Sequence, residues 1–143
     1  MVRLIATVLA GMLALAAAEA ADAPNFQVGQ KWTIKDSSVT IVIGRIEPFG
    51  DGLTAISVSV FDVPCPPALG CTTTAVQHAP FDSATLAASV DKLIDTHAPL
   101  APGFEGGYAT WKQAKGGVFT VPVSQLPELL FRTMDGNLPT KAN

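Results

Sequence analysis

Apolar and polar residues alternate most regularly in the middle of the chain, where Ile56, Val58 and Val60 take one side and Ala55, Ser57 and Ser59 the other. A period of two marks a strand, here with one side facing a core and the other facing water or a thin covering. The same alternation sets Trp32 and Ile34 against Lys31, Thr33 and Lys35, a half-buried strand. Val39 to Glu47 is β-branched and apolar on both sides at its centre, which predicts an interior strand. Phe49-Gly50-Asp51-Gly52 joins it to the alternating segment as a hairpin loop, because glycine tolerates positive φ. A fourth strand is predicted over Thr73 to Ala79, ended by Pro80.

Beyond Pro80 the period lengthens. Asp82 is placed as an N-cap, with Phe81 before it positioned to staple onto Leu86. Leu86, Val90, Leu93, Ile94 and His97 then form one helical stripe that Pro99 stops. A second helix is predicted over Tyr108 to Lys115, with Phe104, Tyr108 and Trp111 on one side and Gly116 as its stop. Gly106 and Gly107 weaken its start by roughly 1 kcal/mol each. Val118 to Val121 reads as a strand, and Ser124 caps a last helix with the stripe Leu126, Leu129, Leu130 and Met134. Pro127 is tolerated there because first-turn N–H groups have no helical partner. The order β-β-β-β-α-α-β-α predicts an α+β domain, a mostly antiparallel four- to five-stranded sheet with about three helices on one face.

Leu4 to Ala18 follows neither period. It is uncharged, follows Arg3 and runs into Ala18-Glu19-Ala20, the pattern of a secretory signal peptide with its small-x-small cleavage site. It falls short of the ~20 strongly apolar residues that a bilayer span needs. The expectation is therefore a signal peptide over residues 1–20 and a single domain over residues 21–143. The mature protein would be periplasmic or secreted, with no stable membrane anchor after cleavage.

Composition narrows the chemistry. Charged residues make up 15% of the chain and the formal net charge is −3, against about 25% charged residues in an ordinary domain. Lys112 and Lys115 are the nearest approach to a basic cluster, so nothing favours a nucleic-acid partner. Cys65 and Cys71 are the two cysteines. In an oxidising compartment a pair this close is expected as a structural disulfide. The spacing is too wide for a redox Cys-x-x-Cys motif, and a zinc site drawing on His78 and His97 would lack finger spacing. No metal and no cofactor is expected.

Nucleophile elbows, zincin helices, phosphate loops and dinucleotide fingerprints are all absent from the sequence. His78 is the candidate general base, late in a strand and close to a helix N-terminus that would favour the neutral imidazole. It shares a strand face with Val76, so its plainer role is that of a half-buried, hydrogen-bonded histidine. His97 is expected at a helix C-terminus, where the dipole favours a cation. Asp91 and Asp95, one helical turn apart, could share a cation, but with Lys92 beside them and no third acidic ligand near in sequence their plainer role is a solvated face. Trp32, Tyr108 and Trp111, with Phe104, are the aromatics best able to line a pocket, against a plain role as core.

Four stretches resemble a pattern found in small exported bacterial proteins of uncharacterised activity. They are Val28-Gly29-Gln30-Lys31-Trp32, His78-Ala79-Pro80-Phe81, Gly107-Tyr108-Ala109-Thr110-Trp111-Lys112 and Gly117-Val118-Phe119-Thr120-Val121. The resemblance implies export and carries no catalytic residue; Cys65 and Cys71 with their proline-rich loop depart from it. The expected function is a non-catalytic binding domain for a protein or envelope partner, with an immunity- or inhibitor-type protein as its sharpest form. The alternatives are a small-ligand binder that uses Trp32, Tyr108, Trp111 and His78, and a hydrolase built on His78.

Overall fold

The computed structural model describes residues 24–134. The expected signal peptide lies outside them, as does the side chain of Met134. Four strands come first: β1 (Lys31–Ile34), β2 (Thr40–Phe49), β3 (Leu53–Pro64) and β4 (Thr73–Asp82). They are followed by α1 (Ser83–Ser89), β5 (Val90–Asp95), α2 (Phe104–Gln113) and α3 (Leu126–Met134), the last entered through a 3-10 turn at Val123–Gln125. The strands form one five-stranded antiparallel sheet in the order β4-β3-β2-β1-β5. The α+β class and antiparallel sheet match the expectation from the sequence.

The alternation in β3 decides how the layers stack. Ile56, Val58 and Val60 point into the main core with Ile41, Ile43, Phe81, Leu86 and Leu126. That face is covered by α1 and the Val123–Leu126 turn that leads into α3. Ser57 and Ser59 point the other way, yet are only 1% and 0% exposed. Their face is covered by α2 and the loop before it, with buried Ala101 and Phe104. The helices thus divide between the two faces instead of gathering on one. Buried hydroxyls are tolerable only when hydrogen-bonded. Ser59 donates to the Gln77 carbonyl and accepts from the Ala101 N–H, and Ser57 pairs with His78.

α2 starts at Phe104, four residues before the predicted Tyr108, and runs through Gly106 and Gly107. Three further elements differ in kind from the sequence expectation. The helix predicted to run to Pro99 ends at Ser89, and Val90–Asp95 becomes β5 on the open edge of β1. A short apolar run suits either period, and here the unpaired backbone of β1 offered ladder bonds that a longer helix would forgo. Leu93 and Ile94 are consequently exposed instead of forming a buried stripe. Val118 to Val121 makes no strand of its own. Only Phe119 bridges to Phe81, accepting from the Asp82 N–H and donating to the Pro80 carbonyl. Lastly, β4 runs through Pro80 to Asp82. It is an edge strand, and the missing N–H of Pro80 faces outward, where no ladder bond is lost.

The cysteines form the expected disulfide: Cys65 and Cys71 are bonded across the β3–β4 connection, with Cα atoms 5.7 Å apart. The Cys65 N–H donates to the Thr72 carbonyl beside it.

Candidate functional site

The most concentrated chemistry lies where α2 meets the serine face of the sheet. Absent side chains let the helix approach closely. A Cβ on Gly44 would lie 2.3 Å from Phe104 Cζ, and one on Gly107 would lie 2.7 Å from His78 Cβ. The Phe104 ring therefore rests over the β2 backbone, and α2 sits against β4 at Gly107.

His78 is at the centre of the contact. Its ring centroid is 5.5 Å from that of Phe104, 5.8 Å from that of Tyr108 and 5.5 Å from that of Trp111. Its Nε2 lies 2.9 Å from Ser57 Oγ. Burial lowers the imidazole pKa, and the nearby negative charge of Glu47 opposes this only in part. The imidazole is accordingly neutral at pH 7. A serine bonded to a neutral histidine is the start of a nucleophilic pair. Ser57, however, is 1% exposed beneath α2, so a substrate would reach it only if the helix lifted.

Charged groups ring this aromatic centre. Glu47 accepts from the Tyr108 hydroxyl at 2.9 and 3.1 Å, and from Lys112 Nζ at 3.0 Å. Partial burial pushes the Glu47 pKa up, but the hydrogen bonds from Lys112 and Tyr108 outweigh it and the carboxyl titrates below its ordinary value. Arg45 lies over the Tyr108 ring, 4.2 Å from its centroid, and pairs with Glu105 at 3.0 Å. Its hydrogen bond to Glu105 raises an already high pKa.

A bulge puts these groups on the α2 side. Ile43 pairs with Val58 and Arg45 with Ser57, so Gly44 is an extra residue that shifts the phase of β2. Before the bulge Val42 opposes Ser59, while after it Arg45, Glu47 and Phe49 oppose Ser57, Ala55 and Leu53. Without the extra residue these three side chains would point to the opposite face.

At the far end of α2, Trp111 lies near-parallel to Phe49, with centroids 6.1 Å apart and planes 19° from parallel. Its Nε1 donates to the Gly117 carbonyl at 2.9 Å, and a Cβ on Gly116 would meet the indole at 2.3 Å. The helix closes with the Gly116 N–H on the Trp111 carbonyl and the Lys115 N–H on the Lys112 carbonyl. This is a Schellman stop with Lys115, at φ 50°, in the left-handed position where glycine is usual. Phe49, Trp111, Lys112, Lys115 and Glu47 line an open cleft of about 340 Å³. A second, of about 370 Å³, lies across Glu47 beside Arg45 and Tyr108.

No family model, curated protein or solved structure matches the chain.

Of the residues singled out from sequence, His78, Tyr108 and Trp111 come together, with Phe104 as the buried floor. Trp32 does not join them. It packs on the main core against Phe26, and its Nε1 donates to Gln30 Oε1. Asp91 and Asp95 lie on strand β5, not on a helical turn, so they share no helix face. Asp95 instead accepts from the His97 N–H, which together with the Thr96 N–H holds its carboxyl below the ordinary range. His97 follows β5, not a helix, and its Nδ1 lies 3.0 Å from Thr96 Oγ1. Sequence reasoning missed Arg45, Glu47 and Phe49. Their spacing of two was legible, but the bulge that chose their face was not.

Proposed function

We propose that the chain is an exported binding domain with no chemistry of its own, acting in the periplasm or outside the cell on a protein or envelope partner. An immunity- or inhibitor-type protein is the sharpest form, an analogy of size and compartment. One observation carries the proposal: at α2 the hydroxyl that could act as a nucleophile is covered, while aromatic and charged side chains line open clefts. His78 is committed to a serine that is 1% exposed, whereas Trp111, Lys112, Glu47 and Arg45 stand at the rim. Aromatic residues and arginine in such settings dominate binding energy at protein interfaces. The leader-like segment at Leu4 to Ala18 and the Cys65–Cys71 bridge both support export.

Affinity capture from envelope extract tests this. Wild-type protein is expected to enrich a partner that the double variant Trp111→Ala, Lys112→Glu does not. Equal recovery by both, or no enrichment across replicates, defeats the proposal. Export is tested separately by N-terminal sequencing of native material, where Ala21 is expected and Met1 in a cytosolic fraction counts against it.

The 340 Å³ cleft beside Trp111 supports a second reading, a small-ligand binder. Indole fluorescence would then change during titration with a metabolite panel. A hydrolase centred on His78 has less support, since the helix covers its hydroxyl partner Ser57.

A further inference from the structure

We infer that the cleft beside the α2 C-terminus takes an acidic peptide segment of a partner protein, with an apolar side chain against Trp111 and Phe49 and a carboxylate on Lys115. The inference rests on the binding function proposed above and adds the chemistry of the partner.

Lys115 gives the first reason. Four non-glycine residues have positive φ among the described residues, namely Asp36, Asp51, Asp62 and Lys115. Aspartate enters this region readily because its short side chain bonds to the local backbone. Lysine has no such compensation, and glycine is the favoured residue at this point of a helix stop. Gly116 and Gly117 follow one and two positions too late to fill it. A residue held in an unfavourable conformation points toward function when what it presents can be named. Here it is a cationic residue among those lining the cleft.

The second reason is charge. Glu47, the one acid lining this cleft, is already engaged by Lys112 and Tyr108. Lys115 has no carboxylate within ion-pair distance among the described residues. The cleft thus carries one uncompensated positive charge on a chain whose net charge is −3. Attraction is local and screened within about 8 Å at physiological salt.

Rigidity is the third. The Trp111 indole is fixed by its bond to Gly117, by Phe49 alongside and by the bare Cα of Gly116. An anchor that is already ordered loses little freedom on binding. A cleft of about 340 Å³ has room for one or two side chains, the scale of an anchoring contact and not of a whole interface.

The test pans a displayed random peptide library against the purified, oxidised protein and titrates the winners by tryptophan fluorescence. Enriched peptides are expected to carry Asp or Glu within two positions of Phe, Leu or Trp. Trp111→Ala should weaken them by more than about tenfold, and Lys115→Gly by about fivefold. Because Lys115→Gly also relieves the helix end, its melting temperature should not fall, which separates lost binding from lost folding. Neutral or basic winners, no enrichment, or unchanged affinity for Lys115→Gly would overturn the inference. So would saturable quenching by an oligogalacturonate with none by the peptides, which would assign the cleft to acidic sugars. If Trp111→Ala, Lys112→Glu still abolishes envelope capture while the winners are not acidic, only the partner chemistry fails. If capture fails as well, the binding function fails with it.

Discussion

Gly106 and Gly107 are adjacent in one helix and have opposite environments. Nothing lies within 4 Å of a Cβ built on Gly106, whereas one on Gly107 would meet His78 Cβ at 2.7 Å. Gly106→Ala should therefore stabilise the protein by about 0.5–1 kcal/mol through helix propensity alone. Gly107→Ala gains the same propensity but must push α2 from β4, and an overpacking penalty of about 1–3 kcal/mol should win. Urea midpoints of the two variants should move in opposite directions. Matching shifts would mean that α2 does not sit on His78 as described. His78 also gives a pH prediction. Its pKa is lowered in the folded state by burial, so the unfolded chain binds the proton more readily. The associated stability is complete above the unfolded value of about 6.5 and declines as pH falls below it. The depressed carboxyls of Glu47 and Asp95 act only at lower pH. Urea midpoints at pH 7.5 and 5.5 should differ, and His78→Gln should reduce the difference. A profile unaltered by that substitution would mean the imidazole is not what responds.

At the scale of elements, the sequence was most informative where pattern and turn chemistry agreed. The hairpin at Gly50–Gly52, with Asp51 and Gly52 both at positive φ, stands where the glycines placed it. The core side of β3 is likewise the side that Ile56, Val58 and Val60 mark out. Where one pattern served two structures, the chain alone was ambiguous. Val90 to Ile94 matched a helical stripe but became β5, because β1 had an edge to offer. The α2 terminus was legible to within a residue or two. Gly116 does follow the helix, but Lys115 occupies the left-handed position. Lys115→Gly should consequently raise stability by about 1 kcal/mol. Thermal unfolding measures this, and a lowered melting temperature would show that the Lys115 side chain itself stabilises the helix end.

For the molecule as a whole, the disulfide ties the β3–β4 connection and leaves the core untouched. Closing a loop of about seven residues contributes at most about 2.4 kcal/mol, and Pro66 and Pro67 already restrict the unfolded loop. Reduction should lower the urea midpoint modestly while the near-ultraviolet dichroism of the packed aromatics persists. Loss of that signal would mean the bridge is needed for the fold itself.

By itself the sequence determined the core-facing sides of β1 and β3, the hairpin, the cysteine bridge and the α+β class. Each follows from side chains close in the chain, where backbone geometry fixes which residues share a side. The candidate site was decided by tertiary structure. Whether Arg45, Glu47 and Phe49 meet α2 depends on one extra residue at Gly44, and a one-residue shift reverses every side chain after it. Trp32 was separated from Tyr108 and Trp111 for a related reason. Residues remote in sequence become neighbours only when the sheet has chosen which face each helix will cover, and that choice depends on the packing of the entire chain.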